Sequence, residues 1–118
     1  MANYKNGVIR DGSMPGSGRS IGNVKNGVIR MSPSPTVGTG KSLGNVKNGI
    51  IRMSPSPTVG SGKCLGNVKN GVIRKSVSPS LGSGSTVGKV RDFSIKGGGD
   101  MDDAIAVACY HFLIKDIF

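Results

Sequence analysis

Lysine and arginine recur at fixed positions along this chain, and they are the side chains with the greatest chemical potential. One set lies just before four Asn-Gly pairs and an equivalent Asp-Phe pair: Lys5, Lys25, Lys47, Lys69 and Arg91. A second set lies five residues further on: Arg10, Arg30, Arg52, Arg74 and Lys96. Cations held side by side repel one another by about 1 kcal/mol per close pair in a high dielectric, and a bound anion relieves that repulsion. The pattern predicts rings of positive charge that bind anions, or else cations that only keep a β-surface soluble.

The positive charge is concentrated in the first part of the chain. Residues 1–90 carry thirteen basic residues and one acid, a net charge of +12, whereas residues 91–118 carry three and five, a net charge of −2. A basic surface attracts polyanions. Sequence-specific nucleic-acid recognition is not indicated, because the aromatic residues do not recur with the cations as stacking platforms would. Those aromatics are Tyr4, Phe93, Tyr110, Phe112 and Phe118.

A segment resembling a nucleotide-binding loop occurs at residues 38–42, which read GTGKS. The phosphate-binding loop also needs a glycine five residues before Gly40, and that position is Pro35. The following copy of the segment ends in Cys64 and so lacks the hydroxyl that would hold Mg²⁺. No nucleotide or other small-molecule cofactor is predicted.

The residues that could support catalysis or metal binding are few and scattered. His111 is the only histidine, and Cys109, two residues earlier, would point to a different side of a helix. Three aspartates, at 100, 102 and 103, fit the start of a helix, where the helix dipole favours negative charge. Without a nucleophile and base, or a cluster of ligands, we predict neither an enzyme nor a metal site.

The two cysteines and the hydropathy bear on the cellular compartment. Cys64 and Cys109 lack the spacing of a disulfide framework, which favours free thiols in a reducing compartment. The N-terminal residues show no charged leader followed by an apolar run. No apolar run reaches the roughly 18–20 residues that span a bilayer. The sequence therefore predicts a cytoplasmic protein with no membrane partner.

A near-exact internal repeat must position the cations. The segments 4–10, 24–30, 46–52 and 68–74 all read as variants of VKNGVIR, and residues 90–96 (VRDFSIK) are a weaker copy. Residues 21–42 and 43–64 differ at only four of 22 positions. Repetition this regular governs the whole fold. It predicts one domain over residues 1–118, with residues 1–96 as the repeat region.

Each repeat is predicted to be a β-hairpin. Asn-Gly between two β-prone runs favours a type I′ turn, in which both central residues need a positive φ. This gives five hairpins, at residues 1–10, 21–31, 43–53, 65–75 and 87–96, of which the fifth has Asp-Phe at its turn and needs another turn type. In the second hairpin Lys25 should pair with Val28. One face of that hairpin should be buried, and it carries Gly22, Val24, Ile29 and Met31.

The last segment is predicted to be different. Residues 97–99 form a glycine linker, and residues 100–118 form a C-terminal helix with Asp100 as its N-cap. This helix is apolar nearly all round, so it must be buried on several sides. It is also the expected contact for self-association.

Taken together, these patterns resemble the small bacterial β-flower proteins. The hairpins with K-N-G-V-I-R, the V-R-D-F-S-I-K-G segment and the C-terminal residues carry the resemblance, which covers the whole chain. Its most specific part is the pattern A-x-x-H-F-L-x-K-x-I-F: Ala108, His111, Phe112, Leu113, Lys115, Ile117 and Phe118. The resemblance implies hairpins arranged as petals in a closed array, five-fold here although a four-fold version also occurs, and it implies no established activity. The Ser-Pro-rich loops are longer than the family's usual links.

The expected fold is mainly β, with about five tandem hairpins in a closed flower-like array and one C-terminal α-helix. The expected function is that of a non-catalytic structural or interaction module that associates with itself. The alternative is a module that binds polyanions or nucleic acid through the repeated lysines and arginines.

Overall fold

The computed structural model describes residues 2–99 and 101–118, and its strands form one antiparallel β-sheet. Its nine strands follow one another in chain order. They are β1 (Ala2–Lys5), β2 (Val8–Asp11), β3 (Arg19–Lys25), β4 (Val28–Met31), β5 (Lys41–Lys47), β6 (Ile50–Met53), β7 (Lys63–Lys69), β8 (Val72–Lys75) and β9 (Ser85–Lys89). The mainly β prediction is confirmed.

Four of the predicted hairpins are present, each closed by its Asn-Gly turn. The four asparagines have φ of 52–53°, and the glycines that follow them also have positive φ. This left-handed conformation is open to asparagine and glycine but costly for most other residues. In the second hairpin Lys25 pairs with Val28 and Val24 pairs with Ile29, as the two-residue turn predicts.

The strand pairing between successive hairpins contains a β-bulge. Between β4 and β5, Ile29 pairs with Gly44 but Arg30 pairs with Ser42, so Leu43 has no partner across the ladder. The same shift recurs at the equivalent position of β2–β3, β6–β7 and β8–β9. A bulge bends the strand and reverses the side-chain alternation beyond it. The first two residues of β3, β5 and β7 therefore do not continue the side-chain alternation of the rest of the strand.

The fifth hairpin is not formed, and that prediction is wrong. After β9 the chain makes a 3-10 helix (Val90–Phe93), in which Asp92 Oδ2 accepts a hydrogen bond from the Lys89 N–H at 3.3 Å. Phenylalanine is disfavoured at the positive φ of a type I′ turn. The chain nevertheless brings Ile95 into the core.

The sheet is open, so the prediction of a closed array is not supported. β9 does not pair with β1. The segment after the 3-10 helix instead lies beside β1, where Tyr4 N–H donates to the Lys96 carbonyl at 2.8 Å and Asn3 forms one isolated parallel bridge with Lys96. A continuous ladder would need a tenth strand, and the 3-10 helix replaces the turn that would start it.

The core lies between one face of the sheet and the C-terminal helix. Each repeat contributes one isoleucine to it: Ile9, Ile29, Ile51, Ile73 and Ile95. The helix adds Val107, Ala108 and Cys109, all fully buried. The predicted burial of the helix on several sides is confirmed for these residues. Met31, in contrast, was expected in the core but is 52% exposed, because it ends β4 at the rim of the sheet.

The helix is shorter than predicted. Its α-helical part, α1 (Asp103–Cys109), continues as a π-helix (Tyr110–Ile114) and ends at Lys115, which is extended. The N-cap is Asp102, whose Oδ2 accepts the Ala104 N–H at 3.2 Å. The cap predicted at Asp100 falls outside the described residues.

Glycines on the helix-facing side of the sheet make room for the C-terminal side chains. A Cβ on Gly22 would lie 2.6 Å from Leu113 Cδ2, and one on Gly66 would lie 2.5 Å from Phe118 Cε1. A Cβ on Gly44 would overlap the ring of Phe112. Glycine at these positions of the repeat therefore lets the helix approach the sheet closely.

Replacing Gly44 with alanine tests this packing. We expect Gly44→Ala to lower the free energy of unfolding by about 1–3 kcal/mol, because the added methyl group overlaps the Phe112 ring and the Arg52 carbonyl oxygen. The control is Gly99→Ala, where a Cβ would meet nothing within 4 Å. The measurement is urea unfolding of both variants and the parent. Equal destabilisation by the two substitutions would contradict the close approach.

Candidate functional site

A buried asparagine in each of the first four repeats holds the loop that follows. In the third repeat Asn45 Oδ1 accepts the Gly60 N–H at 2.9 Å, and Nδ2 donates to the Ser61 carbonyl at 3.0 Å. The equivalent residues Asn3, Asn23 and Asn67 make the same two kinds of bond with their own loops. All four are completely buried. Sequence reasoning missed them, although asparagine recurring within a strand, where it is disfavoured, is a usable signal.

Three of the loops also cover the turn of the preceding repeat. Val59 lies over Gly27, where a Cβ would be 3.7 Å from Val59 Cγ2. Val37 and Leu81 lie in the same way over Gly7 and Gly49, at 3.0 Å in each case. The Gly27 carbonyl in addition accepts the Val46 N–H at 2.8 Å. Neighbouring repeats are therefore joined at the turn end of the sheet, and a groove lies between them.

The first set of predicted cations lies beside these loops. Lys25 is exposed, and its stem runs past a loop glycine, since a Cβ on Gly38 would lie 3.3 Å from Lys25 Cδ. The same placement recurs in the other three hairpins, as Lys5 beside Gly16, Lys47 beside Gly60 and Lys69 beside Gly82. The loop glycine thus leaves room for the lysine stem, while the ammonium group stays in solvent.

The second set of cations is anchored to the loops by hydrogen bonds. Arg30 Nη1 donates to the Gly40 carbonyl at 3.2 Å. The equivalent bonds are Arg10 to Gly18, Arg52 to Gly62 and Arg74 to Gly84, at 3.2–3.3 Å. A guanidinium has five N–H donors, so one bond to a carbonyl fixes its orientation and leaves further donors for an anion. This structural role of the arginines was not predicted.

The two sets of cations meet in the grooves between repeats. One groove of about 430 Å³ is lined by Lys47 and Arg52 on one side and by Pro79 and Leu81 of the next loop on the other. Its counterpart one repeat earlier, of about 290 Å³, is lined by residues at the same positions of the repeat: Lys25, Arg30, Pro57 and Val59. Among the described residues that line these two grooves there is no acid. Each groove therefore combines two cations with an apolar wall.

The last two predicted cations do not follow this arrangement. Arg91 lies in the 3-10 helix and lines a wider groove of about 530 Å³ together with Lys89 and the acidic Asp103. Lys96 is exposed next to β1 and lines a different depression with Tyr110. Because the sheet is open, the cations of the four hairpins form rows along it and not the rings that the repeat suggested.

His111 lies in the contact that holds the C-terminal residues. Its Nδ1 accepts the Ile117 N–H at 3.1 Å and lies 3.2 Å from Asp116 Oδ1. Burial lowers the pKa of His111, although the Asp116 carboxylate opposes this change. The ring also packs edge-on against Phe112 and Phe118. These contacts give His111 a structural role in holding the C-terminal residues.

The two cysteines are both buried and free. Burial raises the pKa of Cys109 to about 12, so this thiol does not ionise near neutral pH. Cys64 replaces a repeat serine and points its sulfur at the Ser76 carbonyl, 3.3 Å away. Within residues 2–99 and 101–118, no group of three or more histidine, cysteine or acidic residues could hold a metal ion.

Comparison with known proteins gives no relative for this chain. No family model, no curated protein and no solved structure matches it. The β-flower resemblance therefore remains a prediction. In the part of the chain that the structure describes, no helix is long and apolar enough to cross a membrane.

The pH dependence of stability tests the role of His111. A lowered pKa in the folded state means that the unfolded chain binds the proton more tightly. Neutral His111 therefore makes its full contribution to the free energy of unfolding above the ordinary pKa of 6.5. This contribution is lost as the pH falls below that value. We expect the free energy of unfolding to decrease between pH 7.5 and about 5.5, and His111→Asn to remove that part of the slope. Parallel pH profiles for parent and variant would contradict this role.

Replacing Asn45 with alanine tests whether its hydrogen bonds keep the following loop folded against the sheet. The Gly60 N–H and the Ser61 carbonyl would each lose a partner, and a buried polar group without one costs about 1–3 kcal/mol. We expect Asn45→Ala to be among the most destabilising substitutions in the repeat by urea unfolding. Ser85→Ala, at an exposed position of β9, is the control and should change little. Similar stability of the two variants would show that the loop is held by other contacts.

Proposed function

We propose that this protein is a non-catalytic interaction module that binds extended polyanions in the grooves between its repeats. The observation that carries the proposal is the meeting of one lysine and one arginine in equivalent grooves of successive repeats. Two such grooves are lined by residues at equivalent positions of the repeat. One contains Lys25 and Arg30, and the other contains Lys47 and Arg52.

Each groove suits one phosphate or sulfate group. The arginine offers a planar set of donors whose orientation is already fixed by its bond to a loop carbonyl, and the lysine adds a mobile point charge. The apolar wall lowers the local dielectric and strengthens the attraction to an anion. A preorganised cation pair also loses less conformational entropy on binding than two free side chains would.

The repeat suits a polymer better than a single ion. Once one anionic group occupies one groove, the next group of the same chain meets the neighbouring groove at a high effective concentration. Affinity should therefore depend on polymer length and fall steeply with salt, since each contact releases counterions. The aromatic residues lie in β1, the 3-10 helix and the C-terminal segment and not in the grooves, which favours recognition of charge over recognition of bases.

Self-association through the C-terminal helix, the first role that the sequence predicts, has less support. Val107, Ala108 and Cys109 of the helix are already fully buried within their own chain. A second copy would also bring two molecules of net charge +10 together. Self-association thus remains a prediction that concentration-dependent mass measurements can address.

The experiment compares two triple variants of equal net charge. K25Q/K47Q/K69Q changes the two groove lysines and their equivalent in the fourth hairpin, and K41Q/K63Q/K75Q changes three exposed lysines at the opposite ends of the strands. Each is titrated at low and moderate salt with inorganic polyphosphate of two lengths and with a single-stranded oligonucleotide. We expect the groove variant to bind at least about tenfold more weakly than the parent, with a smaller salt slope, and the control variant to lose much less.

Three results would count against the proposal. They are absence of binding by the parent at low salt, equal losses in the two triple variants, and an affinity that does not depend on polymer length. Equal losses would assign the effect to net charge alone. We expect urea unfolding to show that both variants retain the fold, because all six lysines are exposed.

A further inference from the structure

A second surface lies at the other end of the strands, where two methionines are exposed. Met31 is 52% exposed and Met53 is 49% exposed, each as the last residue of its strand. Met53 pairs with Gly44, and Gly44 pairs with Ile29, so the two methionines lie on one face of the sheet, two strands and two residues apart. Sequence analysis had placed Met31 in the core.

Each of these methionines lies opposite a lysine on the next strand. Met31 pairs with Lys41 on the next strand, and Met53 pairs with Lys63. Residues directly opposite each other on neighbouring strands project to the same face, so each methionine has one lysine beside it. Both lysines are exposed.

The C-terminal segment extends the apolar part of this surface. Met31 pairs with Gly22, which Leu113 covers, and Met53 pairs with Gly44, which Phe112 covers. An open groove of about 490 Å³ lies here, with Met31, Phe112 and Leu113 in its lining and Arg19 as its cation. We call this surface the methionine rim: Met31, Met53, Phe112 and Leu113, with Arg19, Lys41 and Lys63.

The methionine rim is separate from the anion-binding grooves. β5 runs from Lys41 at the rim to Lys47 at the groove, which is a distance of about 20 Å for a seven-residue strand. The bulge at Leu43 also puts the two lysines on opposite faces, since Lys41 pairs with Met31 and Lys47 pairs with Ile50. A ligand of one surface does not fill the other.

We propose that the methionine rim binds the surface of an anionic lipid membrane. Apolar side chains bordered by cations on one face are the arrangement by which proteins lie at the interface, with the apolar groups at the acyl boundary and the cations among the headgroups. Each lysine near an anionic membrane strengthens binding, and methionine adapts its shape to a disordered apolar phase. The proposed binding is peripheral, at the surface of the bilayer, and it differs from the prediction of no membrane partner that the sequence alone gives.

Charge complementarity favours a membrane over the other possible occupants. In a dimer formed through this surface, Lys41 and Lys63 of one copy would face the same lysines of the other copy. Each molecule carries a net charge of +10, so the two copies would repel each other. A soluble phosphate polymer would satisfy the cations but leave both methionines in water. An anionic bilayer satisfies the two kinds of side chain together.

The test is co-sedimentation of the full chain with vesicles of phosphatidylcholine alone and with about one third phosphatidylserine. We expect binding only to the anionic vesicles. M31Q/M53Q, of nearly equal side-chain length, and K41Q/K63Q should each weaken it by about tenfold or more. M31L/M53L should bind like the parent, because it keeps the apolar character. The charge-matched control K89Q/K96Q changes two exposed lysines that belong neither to the methionine rim nor to the two grooves, and it should also bind like the parent.

Several outcomes would overturn the proposal. Binding that M31Q/M53Q leaves unchanged would show attraction by charge alone, and an equal loss on K89Q/K96Q would assign the effect of the lysines to net charge and not to the rim. A parent that binds neither vesicle would also refute it. If the parent forms a dimer in solution that M31Q/M53Q abolishes, the occupant is a second copy. Because the methionines are exposed, urea unfolding should show similar stability for all variants, so loss of binding is not loss of fold.

Discussion

The two hydrogen bonds made by the buried asparagine of each of the first four repeats are the constraint on which the rest of the fold depends. Asn45 and its equivalents bury an amide completely, and only the loop of the same repeat supplies its partners. An unpaired buried amide is costly, so the loop stays folded against the sheet. A segment rich in serine, proline and glycine thereby becomes a fixed wall, although its composition alone would allow disorder.

The fixed loop then organises the face of the sheet that carries the grooves. It accepts a hydrogen bond from Arg52 or its equivalents, leaves room for a lysine stem and covers the turn of the preceding repeat. The cations, the apolar wall and the contact between repeats thus have a common origin. The last Asn-Gly turn has no such cover, because a Cβ on Gly71 would meet nothing within 4 Å and the 3-10 helix follows in place of a further hairpin.

The opposite face of the sheet depends on a different constraint, which is the close approach of the C-terminal side chains to the strands. Gly22, Gly44 and Gly66 allow the C-terminal side chains to lie directly on the sheet, and one isoleucine from each repeat completes the core. Beyond the reach of this packing the strands end in exposed methionines and lysines. The two faces therefore offer chemically distinct surfaces, one cationic with grooves and one apolar with a cationic border, about one strand length apart.

What the sequence by itself determined is local: four Asn-Gly turns, the register within each hairpin, the buried isoleucines and the positions of the repeated cations. These follow from the φ values that asparagine and glycine tolerate and from the two-residue period of a strand. The tertiary structure alone decided the bulges, the burial of the asparagines, the bonds from arginine to the loops, the exposure of Met31 and the open sheet. Each of these depends on which groups distant in the chain meet, and a repeat of local patterns contains no information on that contact.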